Sequence, residues 1–379
     1  MINSKLSQSQ LESALALSVF LFMILHPAYL GFREAVDLTP ILLFSLPVVV
    51  VFIFGFWTSR KSFINGLLLT TLFFVTAIKM FRLDSNLGNL GDRDDHVFGM
   101  AQAVLSGGAH FPVMTFRNMP ATAGPTSTVL SVPFVYFLNN VDVVSLPFLL
   151  MLLYYFFRRS QREDQGPWLG LSLGFLVFFP YLNWCYWESS EELMFGWAFL
   201  VPATLMIARA LKDGPQGSPW ILIAAGLLSG LAVGVRIAYV IPSLYLLLVL
   251  VFECRWKSAM VVGLSCIASF ILISLPVVLR SSVEEYVFNW LIPIWFKYNN
   301  NGIGQSLLYF GSVMIVALCS KRWKWDIRVG VVVSSAVGMW LVGFFFLKWE
   351  FYFWFLPILI WLPEFGGWLA RKEQGPRLG

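Results

Sequence analysis

The sequence predicts an all-α integral membrane protein of about twelve transmembrane helices, with short helices lying along the outer membrane face. Three observations predict it. Of the 379 residues, 58% are hydrophobic and 12% charged, where soluble domains sit nearer ~45–50% and ~25%. The apolar residues come in runs of about 20, the length that crosses a bilayer. Lysine and arginine cluster in alternate connections, as the positive-inside rule requires. A soluble enzyme of this length is excluded. The net charge of +5 reports topology rather than affinity for nucleic acid.

In chain order the predicted spans are 11–32, 40–57, 63–82, 141–157, 167–187, 191–211, 219–235, 237–254, 257–279, 305–320, 327–347 and 350–369. The first follows a polar stretch with only Lys5 positive, exceeds a signal-peptide core and lacks a small-residue cleavage site, so it is expected to be a retained helix. The inner connections then carry Lys5; Arg60 and Lys61; Arg158, Arg159 and Arg162; Arg209 and Lys212; Arg255 and Lys257; Lys321, Arg322, Lys324 and Arg328; and Arg371, Lys372 and Arg377. That majority of the basic residues puts both termini in the cytoplasm. The outer face is acidic by contrast, with Asp84, Asp92, Asp94, Asp95, Glu188, Glu191, Glu192, Glu284 and Glu285 among its residues. Chemistry is therefore expected outside.

The chain reads as a single polytopic domain over residues 1–379, with long outer segments at 83–140 and 280–304. Loops of that length are commonly functional. Within the first, Ser127–Leu138 is apolar but too short to span. It is expected to be an interfacial or re-entrant helix, since counting it as a span would carry Arg158, Arg159 and Arg162 outside.

Asp92, Asp94 and Asp95 open a helical pattern in which Val97, Met100, Ala101, Val104 and Leu105 recur at three- and four-residue spacing, stopped by Gly107-Gly108. Carboxylates at a helix start cap it and are favoured by its dipole. Held at a membrane surface, they also suit removal of a proton from a hydroxyl or ligation of a divalent ion. Asp92 and Asp94 form a D-x-D that suits Mg or Mn. His96 and His110 flank the helix without a cysteine or third histidine, which argues against zinc.

Asp94-Asp95-His96-Val97-Phe98, then Ala101 and Ala103, Gly107-Gly108, Phe111-Pro112 and Met119-Pro120 through Pro125 follow the order of a loop in known enzymes. The segment resembles the first outer loop of GT-C class membrane glycosyltransferases, in particular the protein O-mannosyltransferase and aminoarabinose transferase branch. The second acidic residue is Asp where that family has Glu, Arg117-Asn118-Met119-Pro120 stands in place of its basic residue before Pro-Pro, and three spans rather than one precede the loop. The resemblance implies a GT-C-like fold and transfer of a sugar from a polyprenyl-phosphate donor to a glycan, lipid or protein hydroxyl, with Asp94 as the base and Asp95 beside it.

Arg236 ends a helix rich in small residues, where a charge is either paired, snorkelling or functional. A guanidinium suits a lipid-linked phosphate, and GT-C enzymes look similar at this point. Gly226, Gly230 and Gly234, spaced by four, are expected to pack helices. Lys348 is either a second phosphate contact or an interfacial lysine, and Arg117 is a third candidate cation. No nucleotide-binding loop of the Walker or Rossmann kind, nor a G-x-S-x-G elbow, stands in a suitable context. The expected activity is inverting glycosyl transfer at the outer face of the cytoplasmic membrane. A flippase of lipid-linked saccharides, or a polysaccharide polymerase or ligase using the 280–304 loop, are the rival expectations.

Overall fold

The computed structural model describes residues 93–107, 123–138, 191–214, 218–236, 239–281 and 303–346, with 141, 144, 283, 284, 286, 287 and 361. Of these, 88% are helical and none lies in a strand. The described helices are α1 (Arg93–Ser106), α2 (Pro125–Leu138), α3 (Glu191–Lys212), α4 (Pro219–Val235), α5 (Val240–Phe252), α6 (Trp256–Val278), α7 (Ile303–Arg322) and α8 (Ile327–Phe346). The chain divides into two compact units. All eight helices belong to the unit of residues 76–154 and 187–358; of the described residues only Trp361 belongs to the other.

Helices α3 to α8 coincide with six of the expected spans. The largest difference is at α5, expected over 237–254 and observed at Val240–Phe252. At its start the Tyr239 N–H bonds back to the Arg236 carbonyl, and at its end Cys254 takes a left-handed conformation at φ 58°, which stops a helix. The expected spans 11–32, 40–57, 63–82, 167–187 and almost all of 141–157 and 350–369 lie outside the described residues.

One described helix, α6, is long and apolar enough to cross a membrane, with 23 residues and a mean hydropathy of 2.5. Met260, Leu264, Ile267, Ile271 and Leu275 form an exposed stripe along it, at the three- and four-residue spacing of one helix face. An open apolar face of that length suits hydrocarbon rather than water. Helices α4 and α5 are apolar but run only 17 and 13 residues.

Helix α4 is flanked by α3 and α6, while α5 packs on α7 and α8, and α2 covers α4 and α6 at one end. The small-residue stripe brings the backbones of α4 and α6 close together. A Cβ on Gly226 would strike the Val262 carbonyl of α6, and one on Gly230 the Cys266 carbonyl and the Ser269 side chain. Close backbone approach is what small residues at every fourth position allow. On the other side α5 is tied to α7 by a buried hydrogen bond of 2.8 Å between the Tyr245 and Ser320 hydroxyls, with Gly330 of α8 against the same phenol.

At the end opposite α1, charged side chains close the helix termini. The last carbonyls of a helix lack internal partners. The Arg255 guanidinium takes two of those of α3, donating to Ala210 at 2.6 Å and Leu211 at 2.9 Å, and also donates to the Gly214 carbonyl in the turn after it at 3.1 Å. Lys321 donates to the Phe252 carbonyl at the end of α5. Asp326 caps α8 by accepting the Arg328 N–H at 3.0 Å, and also holds the Arg328 guanidinium at 2.6 and 2.8 Å. Burial pushes the Asp326 carboxyl up, but the hydrogen bonds and charge of Arg328, with the Lys212 charge, together hold it below its ordinary value.

Candidate functional site

Helix α1 forms where the apolar spacing requires it. Val97, Met100 and Val104 fall on one face and bury against Ala123, Val277 and Tyr286. It stops at Gly107, whose φ of 76° a side chain would resist. Asp94 and Asp95 lie in its first turn, where the helix dipole favours negative charge. The apolar face thus packs α1 against α2 and the end of α6.

Helix α2 begins two residues before its expected start because Pro125 takes the first helical position, where a missing N–H costs nothing. Its entry is pressed against the end of α4: a Cβ on Gly124 would overlap the carbonyls of Gly234 and Val235, and Gly234 in turn faces Thr126. Arg236 follows directly, with extended backbone at φ −153° and ψ 140°. The turn after it is anchored by Tyr239, which is buried edge-on against Trp197 at 5.4 Å and lies over Gly196 of α3. Helices α2, α3 and α4 together therefore fix where Arg236 emerges.

The sequence-predicted residues are thus partly brought together. Asp94 and Asp95 on α1 and Arg236 on α4 stand at the same end of this helical unit, joined through the entry of α2 and the close of α6. Asp92, Arg117 and Lys348 lie outside the described residues. Among the described residues no three of His, Cys, Asp and Glu stand together as a metal site requires.

Two features of this end escaped the sequence reading. The first is a set of hydroxyls: Thr126, Ser127 and Ser131 of α2 are fully buried, and their oxygens have no hydrogen-bond partner among the described residues. By contrast Thr128 donates to the Gly124 carbonyl at 3.0 Å. A buried hydroxyl without a partner costs about 1–3 kcal/mol, so three on one short helix are unusual. Their only signal in the sequence is the run Thr126-Ser127-Thr128 with Ser131 one turn on. The second feature is Arg280, whose guanidinium lies 3.0 Å from where a side chain on Gly107 would begin. Nothing local in the sequence marks it, since its proximity to Gly107 comes from packing of distant segments.

Tyr286, in the same cluster, donates to the Ser274 hydroxyl at 3.0 Å. Burial pushes its phenol up to about 12 against the pull of that bond, so it stays neutral at physiological pH. Compared with known protein families, curated proteins and solved structures, the chain matches none.

Proposed function

We propose that the protein is a polytopic membrane glycosyltransferase of GT-C-like architecture, with about twelve spans, moving a sugar from a polyprenyl-phosphate donor to a hydroxyl acceptor at the outer face of the cytoplasmic membrane. The observation that supports it most is the packing of α1, whose first turn is acidic, at the end of the unit where α4 closes on Arg236. The partnerless hydroxyls of α2 beside them add donors and acceptors of the kind a sugar or phosphate engages.

In this reading the Asp94 carboxylate accepts the proton of the acceptor hydroxyl as its oxygen attacks the anomeric carbon. The bond between that carbon and the lipid-phosphate oxygen breaks, and the electron pair leaves with the phosphate. Arg236, with Arg117 or Lys348, stabilises the charge that develops there. In-line displacement inverts the anomeric centre. Asp95 orients the acceptor, and Asp92 with Asp94 would hold a divalent ion if transfer requires one.

The test is transfer of labelled sugar from a pool of polyprenyl-phosphate donors by the purified full chain in nanodiscs. Wild type is expected to transfer, and Asp94→Asn to lose about 10²–10⁴-fold, the usual worth of a positioned base. An EDTA arm decides the metal question. Undiminished transfer by a folded Asp94→Asn protein overturns the base assignment, and lipid binding without transfer by wild type moves the reading to a flippase.

A further inference from the structure

At the end of the unit away from α1, helices α3, α5, α7 and α8 enclose a crevice of about 570 Å³. Its volume is that of a small-molecule site, yet it lies among helix ends that the positive-inside pattern assigns to the cytoplasm, far from the acidic turn in every element that builds it. Six cationic side chains line it against three carboxylates. Four of the cations are committed. Arg255 and Lys321 hold helix carbonyls, Arg328 is paired with Asp326 at 2.6 Å, and Arg209 with Asp213 at 3.4 Å.

Lys212 and Lys324 form no ion pair among the described residues, and both face this space. Lys324 also sits at φ 51°, a left-handed conformation that a side chain adopts at a cost of about 1 kcal/mol. Leu205, Ala208, Val249 and Ala317 add apolar lining to the cationic side chains. A charged mouth over an apolar wall between helices matches a headgroup with its chains.

We propose that this crevice binds a phosphate group, carried by an anionic lipid of the cytoplasmic leaflet, with Lys212 and Lys324 as its contacts. The two ammonium groups supply charge-assisted hydrogen bonds to the phosphate oxygens, and the apolar wall receives the first methylenes of the chains. A soluble phosphate ester offers the same oxygens without the chains. The site is independent of sugar transfer, so it stands or falls by binding alone.

The experiment is native mass spectrometry and thermal unfolding of the full chain in detergent, titrated separately with phosphatidylglycerol, phosphatidylcholine and inorganic phosphate. Phosphatidylglycerol is expected to bind and raise the unfolding temperature, and phosphatidylcholine to do neither. The double variant Lys212→Gln, Lys324→Gln is expected to weaken phosphatidylglycerol about thirtyfold, roughly fivefold for each lysine, and Lys212→Arg with Lys324→Arg to restore it. Saturation by inorganic phosphate with no preference for lipid keeps the site and reassigns its source to a soluble ester. Equal binding of the two lipids, or unchanged phosphatidylglycerol affinity in a folded double-Gln variant, overturns the proposal.

Discussion

The two ends of the helical unit handle polar groups in opposite ways. At the basic end the charges close the fold on itself: Arg255 satisfies two carbonyls of α3 and one of the turn after it, Lys321 one of α5, and Asp326 the start of α8. At the α1 end, three hydroxyls of α2 are buried with no hydrogen-bond partner among the described residues, and α1, whose first turn is acidic, is held there by the apolar contacts of Val97, Met100 and Val104. Polar groups that complete helix termini serve stability, whereas groups kept buried and unsatisfied cost stability and are candidates for a ligand. The difference separates charges that complete the fold from polar groups that the fold leaves unsatisfied, and substitution at each end sharpens or breaks it.

The largest effect is expected at Arg255. Arg255→Ala strips two carbonyls at the end of α3 and the Gly214 carbonyl beyond it of their donor, and hydrogen bonds to a charged group are worth about 1.5–3 kcal/mol each before neighbouring water repays part of the loss. A net destabilisation of about 3 kcal/mol follows, read as a lowered unfolding temperature in detergent. Arg255→Lys should recover only part of it, because one ammonium cannot match the guanidinium fork. An unchanged unfolding temperature would mean that solvent closes α3 as well as Arg255 does.

Asp326→Ala comes next, at about 1–2 kcal/mol, the cost of a lost N-cap. The same residue predicts a pH dependence. Its carboxyl is held below the ordinary value of 3.8 in the folded protein, so the unfolded chain takes up protons first as pH falls. The stabilisation is fully present above about pH 4 and lost below it, through the lowered value. Asp326→Ala should therefore flatten the acid limb of an unfolding-temperature profile recorded from pH 3 to pH 7, and an identical acid limb in both proteins would remove Asp326 from the account.

Much of this was legible from the chain, and the reasons it was legible also mark where reading stopped. The spacing of Val97, Met100 and Val104 and the stop at Gly107-Gly108 gave α1 its bounds, since periodicity and a left-handed glycine are local signals. The small-residue stripe of α4 announced a packed helix, and Gly226 and Gly230 indeed meet backbone carbonyls of α6. What charge counting hid was the use of each charge. Arg255 and Lys321 counted only as cytoplasmic residues, yet they cap helices 44 and 69 residues away in sequence, contacts that no local pattern encodes. Arg280 and the hydroxyls of α2 were missed for the same reason, because burial and the absence of a partner are properties of the packed chain.

The smallest effect is the most discriminating. Ser127 and Ser131 are one turn apart on α2, so they share a face, and both oxygens are buried without partners. Replacing an unsatisfied buried hydroxyl by a methyl group removes a desolvated polar atom and nothing that it held, so Ser127→Ala with Ser131→Ala should leave stability unchanged or raise it by up to about 1 kcal/mol. If those hydroxyls meet a ligand, the same pair of changes should lower transfer from the polyprenyl-phosphate donor while the unfolding temperature holds or rises. Stability and activity moving in opposite directions is what a ligand-facing group produces, since it is retained against the interest of the fold. A destabilisation comparable with that of Arg255→Ala would instead show the hydroxyls bonded within the protein, and the contrast between the two ends would be lost.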